Sequence, residues 1–265
     1  MHDWMLAHEP WLRVGAFAAV LLLLAAAEHS WPRRGEPMRR RERWGVNLSI
    51  VVIDVLLVRL LIPLGATGAA ILADVRGWGL LQQVGAPPLV EAALAFLALD
   101  ALIYWQHRLF HAIPWFWRLH RVHHSDLEFD ATTGVRFHPV EILVSMLIKI
   151  GAVVALGAPA VAVIAFEVVL NATSLFNHSN LRLPAAADRA LRKLLVTPDM
   201  HRVHHSVHRH EHDSNYGFNL SWWDHLFRSY TDQPKEGHAA MRIGLPLFRE
   251  PRDQRLLGLL AQPLK

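Results

Sequence analysis

The stretch "APPLVEAALAFLALDALIYWQHRLFH", residues 86–111, joins two properties that seldom meet in one helix. It opens on a Pro pair, whose fixed φ and missing N–H suit a helix start, and runs apolar as far as His107. A helix needs roughly 20 apolar residues to cross the hydrocarbon core, so this segment is long enough to span. It then closes on His107 and His111, whose spacing of four puts both imidazoles on one helix face, with Asp100 and Tyr104 on the same stripe.

The rest of the chain carries the same two signatures. Of 265 residues, 52% are hydrophobic and 19% charged, below the quarter or so that is usual for a soluble domain. Further apolar stretches lie at 11–27, 44–65, 140–156 and 160–176, the last two forming a helical hairpin around "GAP", 157–159. The first stretch has its Arg run after it, not before, so it reads as a retained helix and not as a secretory signal. Asp54 and Arg59 lie inside the second and are expected to face protein, because charge in hydrocarbon is costly. Residues 66–86, broken by Gly, read as a loop with interfacial turns. The absence of cysteine excludes disulfides, iron–sulfur clusters and thiolate metal sites.

The net charge of +4 is explained by membrane topology better than by nucleic acid, and no nucleic-acid partner is expected. Six Arg fall between residues 33 and 43, after the first apolar stretch. Cytoplasmic loops are enriched in Lys and Arg, so that loop is assigned to the cytoplasm. Counting spans forward puts His107 on the same side, and the hairpin goes out and returns, putting His178 there too.

Fourteen of the 18 histidines fall between His107 and His225. "HRVHHS" occurs at 120–125 and again at 201–206, giving His120, His123, His124 and His201, His204, His205, each triplet at i, i+3, i+4. With His107, His111 and His178, that makes nine imidazoles on one side of the membrane. Imidazole suits zinc, copper, iron and nickel, and nine exceed what one ion accepts, so two ions with four or five ligands each are expected. The spacing suggests that each triplet serves one ion. No "ExxH" pair of the helical di-iron bundles and no "HExxH" is present. His138 in "RFHPVE" stands before a Pro at a helix entry, where it could cap the helix, line the site or serve as a tenth ligand, while "HRHEHD", 208–213, reads as a solvated basic segment. Asp100, Glu141, Asp199, Asn215 and Asp224 are candidates for the groups that orient the ligands. The flanks of the two "HRVHHS" copies, "WFWRL" and "VTPDM", share nothing, so duplication is not required.

"DALIYWQHRLFH" (100–111), "WFWRLHRVHHS" (115–125), "TGVRFHPVE" (133–141), "FNHSN" (176–180), "VTPDMHRVHHS" (196–206) and "NYGFNLSWWDHLF" (215–227) together resemble the fatty acid hydroxylase and sterol desaturase superfamily, in family order over roughly residues 95–230. The resemblance implies an all-α integral membrane protein with four to five transmembrane or re-entrant helices and a cytosolic helical cap carrying the histidine boxes. It implies two Fe ions held by His107, His111, His120, His123, His124, His178, His201, His204 and His205, with O2 as co-substrate and a bilayer lipid as substrate, hydroxylated or desaturated. No haem-binding carrier segment is fused here, so a separate electron carrier and reductase are implied. The chain divides into N-terminal membrane helices (1–90), a histidine-box domain (91–232) and a C-terminal tail (233–265). Where the family tends to close with "WDxLFGT", this sequence has "WDHLFRSY", placing Arg228 and Ser229 at the small pair. Two other classes compete on the residues alone. A membrane zinc hydrolase would use the same histidines to activate water without oxygen, and a metal transporter would place them at the bilayer midplane.

Overall fold

The computed structural model describes residues 2–35 and 40–265. Arg39, one of the six Arg of the basic run, lies outside the described residues. The chain is helical, and the described residues form only isolated bridges between extended segments. In order come α1 (His2–Ala7), α2 (Glu9–Ser30), α3 (Arg40–Leu61), α4 (Gly65–Arg76), α5 (Leu80–Val84), α6 (Pro88–Ala112) and α7 (Pro114–His124). A 3-10 turn over Ala131–Val135 leads to α8 (Pro139–Leu156) and α9 (Ala160–Asn177). Short helices finish the chain: α10 (Ala185–Leu191), α11 (Pro198–His204), α12 (Arg209–His212), α13 (Trp222–Leu226), α14 (Gly237–Ala240) and α15 (Leu256–Ala261). Five segments are long and apolar enough to cross a membrane: Glu9–Ser30, Arg40–Val84, Pro88–Ala112, Pro139–Leu156 and Ala160–Asn177. The protein is an all-α integral membrane protein, with no strand among the described residues.

Proline sets the boundaries that matter for the site. Pro114 ends α6, because the residue before a proline avoids helical ψ, and Ile113 is extended at φ −95, ψ 120. The chain bends there, so α7 starts again in a new direction instead of prolonging the span. His138 caps α8 by accepting from the Val140 N–H, and Thr197 caps α11 through Met200, each followed by Pro at the first helical position.

Residues 66–86 are not a loop. Ala66, Ala69, Ala70 and Ala73 are buried on one face of α4, and this small-residue stripe lets α4 lie close against α8 and α9. Of the Gly residues that suggested a loop, Gly77 and Gly85 close α4 and α5, Gly79 lies in the turn between them, and Gly68 sits within α4. Gly79 (φ +109) passes so close to Gly157 that a Cβ would sit 2.1 Å from the Gly157 nitrogen.

Charge within α8 and α9 is paired. Glu167 of α9 accepts from Lys149 of α8 at 2.5 Å and also from Arg13 of α2. Asp54 is buried as expected, but Arg59 is exposed. It lies in the last turn of α3, where a long side chain reaches the far interface.

The opposite ends of the spans converge. Glu28 at the end of α2 accepts from the Ala131 and Asn180 N–H groups, both at 2.8 Å. At the start of α3, Arg43 holds Asp126 with two bonds of 2.9 and 2.8 Å and Asp130 at 2.7 Å. The basic run therefore also ties the first two spans to the segment after the first "HRVHHS". Arg33 adds Asp199, and Arg34 the His238 carbonyl.

Candidate metal centre

At that converging end, the nine histidines sort into two clusters. His107, His111, His120, His124 and His204 form one, and His123, His178, His201 and His205 the other. Within each cluster the candidate ligand atoms lie within 4.8 Å of one another. The clusters adjoin, with His124 and His205 stacked at 4.6 Å across the seam.

Neither triplet stays together, contrary to the spacing argument. His120 and His124 go to the five-histidine cluster and His123 to the four. His204 goes to the five, and His201 and His205 to the four. Helix geometry supplies the reason. At about 100° per residue, i and i+4 diverge by only about 40°, whereas i+3 and i+4 diverge by about 100°. The last two histidines of a triplet cannot face one point.

Burial and hydrogen bonding set the state of the rings. Burial pushes His120 and His178 down to about 3. It pushes His123, His124, His201, His204 and His205 well below 6.5, and neighbouring imidazoles add to the effect. The rings are thus neutral, the form that offers a lone pair to a metal.

In the five-histidine cluster the outer nitrogens are anchored. His107 Nδ1 donates to the Tyr216 carbonyl at 2.7 Å, His204 Nδ1 to the Ser214 carbonyl at 2.6 Å, and His120 Nδ1 to Glu141 at 2.6 Å. His111 Nδ1 reaches Asp213 at 3.3 Å. These bonds fix the tautomer and point Nε2 inward. The four-histidine cluster is held mainly by aromatic walls. His123 stacks on Phe137 at 4.4 Å, and Phe129 packs against both His178 and His205. Only His178 has an anchored Nδ1 there among the described residues, donating to the Ser174 carbonyl at 2.7 Å. Gly134 makes room for that contact, since a Cβ would meet the Ser174 oxygen at 2.4 Å.

Buried imidazole nitrogens without partners are costly in a folded protein. His107, His120 and His204 each leave Nε2 without a partner. Three other Nε2 pairs sit 3.1 Å apart: His111–His124, His123–His178 and His178–His201. Two imidazole nitrogens on one ion at about 2.1 Å, separated by 90–110°, lie about 3.0–3.4 Å apart. The residues fit a pair of metal ions.

Of the proposed orienting groups, Glu141 touches a clustered histidine directly. Asp224 acts one step back, accepting from the Tyr216 and Gly217 N–H groups at 2.8 Å and so holding the carbonyl that receives His107. Asn215 bridges Met200 and Thr231 and takes φ 51, turning the two flanking carbonyls toward His204 and His107. Asp100 accepts from Trp223 and Leu220, and Asp199 from Arg33 and Arg202. No clustered histidine among the described residues donates to either. His138 stands outside both clusters, with Nδ1 capping α8 and Nε2 donating to the Leu260 carbonyl at 3.3 Å. The "HRHEHD" segment is not uniformly solvated. His210 is exposed, but His212 is buried and stacked on Trp117 at 5.5 Å, and Asp213 meets His111. Sequence reading missed Asp213 because only the fold returns it to α6, and the carbonyl acceptors because a backbone oxygen has no sequence signature.

Fold and cluster define a class: a helical membrane protein with an all-imidazole, two-cluster centre at one end of its spans. The fatty acid hydroxylase family profile matches residues 92–229, just over half of the chain, and the chain belongs to that family. It is similar to ornithine lipid hydroxylase OlsE of Rhizobium tropici, 29% identical over 149 residues, covering 56% of this chain and 44% of that one. Alkylglycerol monooxygenase of Xenopus tropicalis is 24% identical over 223 residues, covering 82% and 46%. Very-long-chain aldehyde decarbonylase GL1-5 of Oryza sativa subsp. indica is 25% identical over 237 residues, covering 85% and 35%. The chain spans less than half the length of these curated relatives. No solved structure gives a significant match.

Proposed function

We propose that this protein is an O2-dependent, non-haem di-iron oxidoreductase that hydroxylates or desaturates a C–H bond of a membrane lipid. The observation that carries the reading is the division of nine buried, neutral histidines into clusters of five and four. His107, His111, His120, His124 and His204 would hold one iron, and His123, His178, His201 and His205 the other. Bound there, the iron pair would supply oxygen activation and removal of hydrogen from an unactivated C–H bond.

The protein's own part is positioning and exclusion of water. Tyr216, Ser214, Ser174 and Glu141 hold the outer imidazole nitrogens and keep the inner ones deprotonated. Phe129, Phe137 and Phe218 wall the four-histidine side with hydrocarbon. The hydroxylase and monooxygenase relatives support lipid oxidation over zinc hydrolysis. The basic loop at 33–43 supports a cytoplasm-facing centre, supplied with electrons by a separate carrier and reductase.

Purified protein is expected to contain about two iron atoms per chain, the number two clusters would hold. His123→Ala or His204→Ala should lower iron content and abolish turnover of lipid. Full iron and full turnover in either variant would overturn the assignment.

A further inference from the structure

Residues 245–265 lie beyond the family match, which ends at residue 229. Three contacts set their position. Leu259 of α15 is fully buried in one cluster with Ile50 of α3 and Val122 of α7, with Val46, Leu256 and Leu260 packed around it. The Leu260 carbonyl accepts from His138, the cap of span α8. Arg121 of α7 donates to the Gln262 and Lys265 carbonyls. The segment therefore lies beside the site-side half of α3 and the site-side end of α8, close to where hydrocarbon gives way to head groups.

Its outer surface suits that depth. Leu247, Leu257 and Leu264 are 64%, 80% and 85% exposed. Arg249, Arg252, Arg255 and Lys265 against Glu250 and Asp253 leave the segment at +2, four positive less two negative. Farther along α3, Val52, Val55 and Leu56 are also exposed, so the outer apolar surface of the span continues toward the segment. Apolar anchors set among basic residues are the pattern of a segment lying in the membrane interface.

We propose that residues 245–265 form a lipid-facing hem, seated in the head-group region of the membrane that the spans cross, with Leu247, Leu257 and Leu264 inserted among acyl chains. The hem has a second face. Leu245, Pro246 and Phe248 wall a cavity of about 350 Å³ that reaches Trp117 and His111, with Leu247 at its rim. The cavity mouth then opens at the bilayer surface, and an amphiphile leaving the lipid reaches the five-histidine cluster along an apolar wall. That route rests on the proposed function, whereas the depth of the hem rests only on the spans.

The chain has no cysteine, so Leu257→Cys and Leu264→Cys can each carry a single bimane label. Leu60→Cys, on the exposed face of α3, serves as the lipid reference, and Lys235→Cys as the aqueous one. In phosphatidylcholine–phosphatidylglycerol vesicles, the 257 and 264 labels should emit to the blue of the 235 label. Brominated lipid should quench them several-fold more than it quenches 235, and iodide several-fold less. Emission and quenching like those of position 235 would overturn the proposal. So would protection of the labels from both quenchers together with disulfide-linked dimers of the unlabelled Cys variants under an added thiol oxidant, which would give this face to a second copy of the chain. The measurement needs neither iron nor turnover, so its failure leaves the metal reading intact.

Discussion

At 120–125, "HRVHHS" closes α7 behind Pro114, and at 201–206 the same six residues close α11 behind Pro198. Locally the copies behave alike, and the central valines, Val122 and Val203, are both fully buried. Their histidines are nevertheless allotted in opposite senses. The first copy sends two rings to the five-histidine cluster and one to the four, and the second sends one and two. One helical spacing thus offers an i, i+4 pair on one side and a single i+3 ring on the other. Two such helices meeting across a seam interlock the clusters, so neither can form without both copies.

The clusters also differ in what holds them. The larger is fixed by hydrogen bonds from four outer nitrogens, including two to carboxylates, and the smaller chiefly by aromatic walls.

Double variants give the largest test of the interlock. If His123 and His201 serve one ion, His123→Ala/His201→Ala should keep about as much iron as either single variant, because residues acting as a unit are non-additive. His123→Ala/His204→Ala should lose nearly all of it. Iron loss that instead grouped His120, His123 and His124 together would restore one triplet per ion.

Anchoring comes next. Glu141→Gln should weaken iron binding by about 10- to 100-fold, the usual cost of losing an outer partner of a ligating histidine. Asp213→Asn should cost less, since its bond is longer and its carboxylate is one-third exposed. Competitive chelation measures both.

Acid should act on the metal-free protein through the neutral rings. His120 and His178 stay unprotonated in the folded chain down to about 3, while the unfolded chain protonates near 6.5. Between those limits the unfolded state binds more protons, so stability rises with pH and falls as the solution is acidified. Each such ring contributes about 1.4 kcal/mol per pH unit within that window. The thermal midpoint of chelator-stripped protein should therefore drop steadily from pH 7 to pH 5. A flat profile would mean that the rings are hydrated.

The smallest effect concerns the departure from the family's closing pattern. Arg228 takes φ 56, in the left-handed region where the family tends to place Gly. The exposed Arg228→Gly should stabilise the protein by about 1 kcal/mol, seen as a small rise in thermal midpoint. Ser229 keeps a hydroxyl, which bonds Tyr104 at 2.8 Å and Asp224 at 2.7 Å.

Much of this was legible in the sequence, because the relevant signals are local. Hydrophobic length announces spans, Pro announces helix starts, and histidine spacing announces a shared face. The Arg run and the span count together put every box at one end. Residues 66–86 misled because the Gly at their borders are visible, whereas the Ala stripe of α4 gains meaning only against α8 and α9. For His138 the sequence left cap, lining residue and ligand open, because an imidazole that caps a helix looks, as a letter, like one that binds metal; the structure shows the cap.

The sequence by itself determined that nine imidazoles stand together at one end of a helical membrane protein. That followed from periodicity and parity, properties of the chain taken one segment at a time. Only the tertiary structure decided which ring joins which cluster, because that depends on the angle at which α7 meets α11. It also decided that Tyr216, Ser214 and Ser174 hold those rings through backbone oxygens that every residue type possesses.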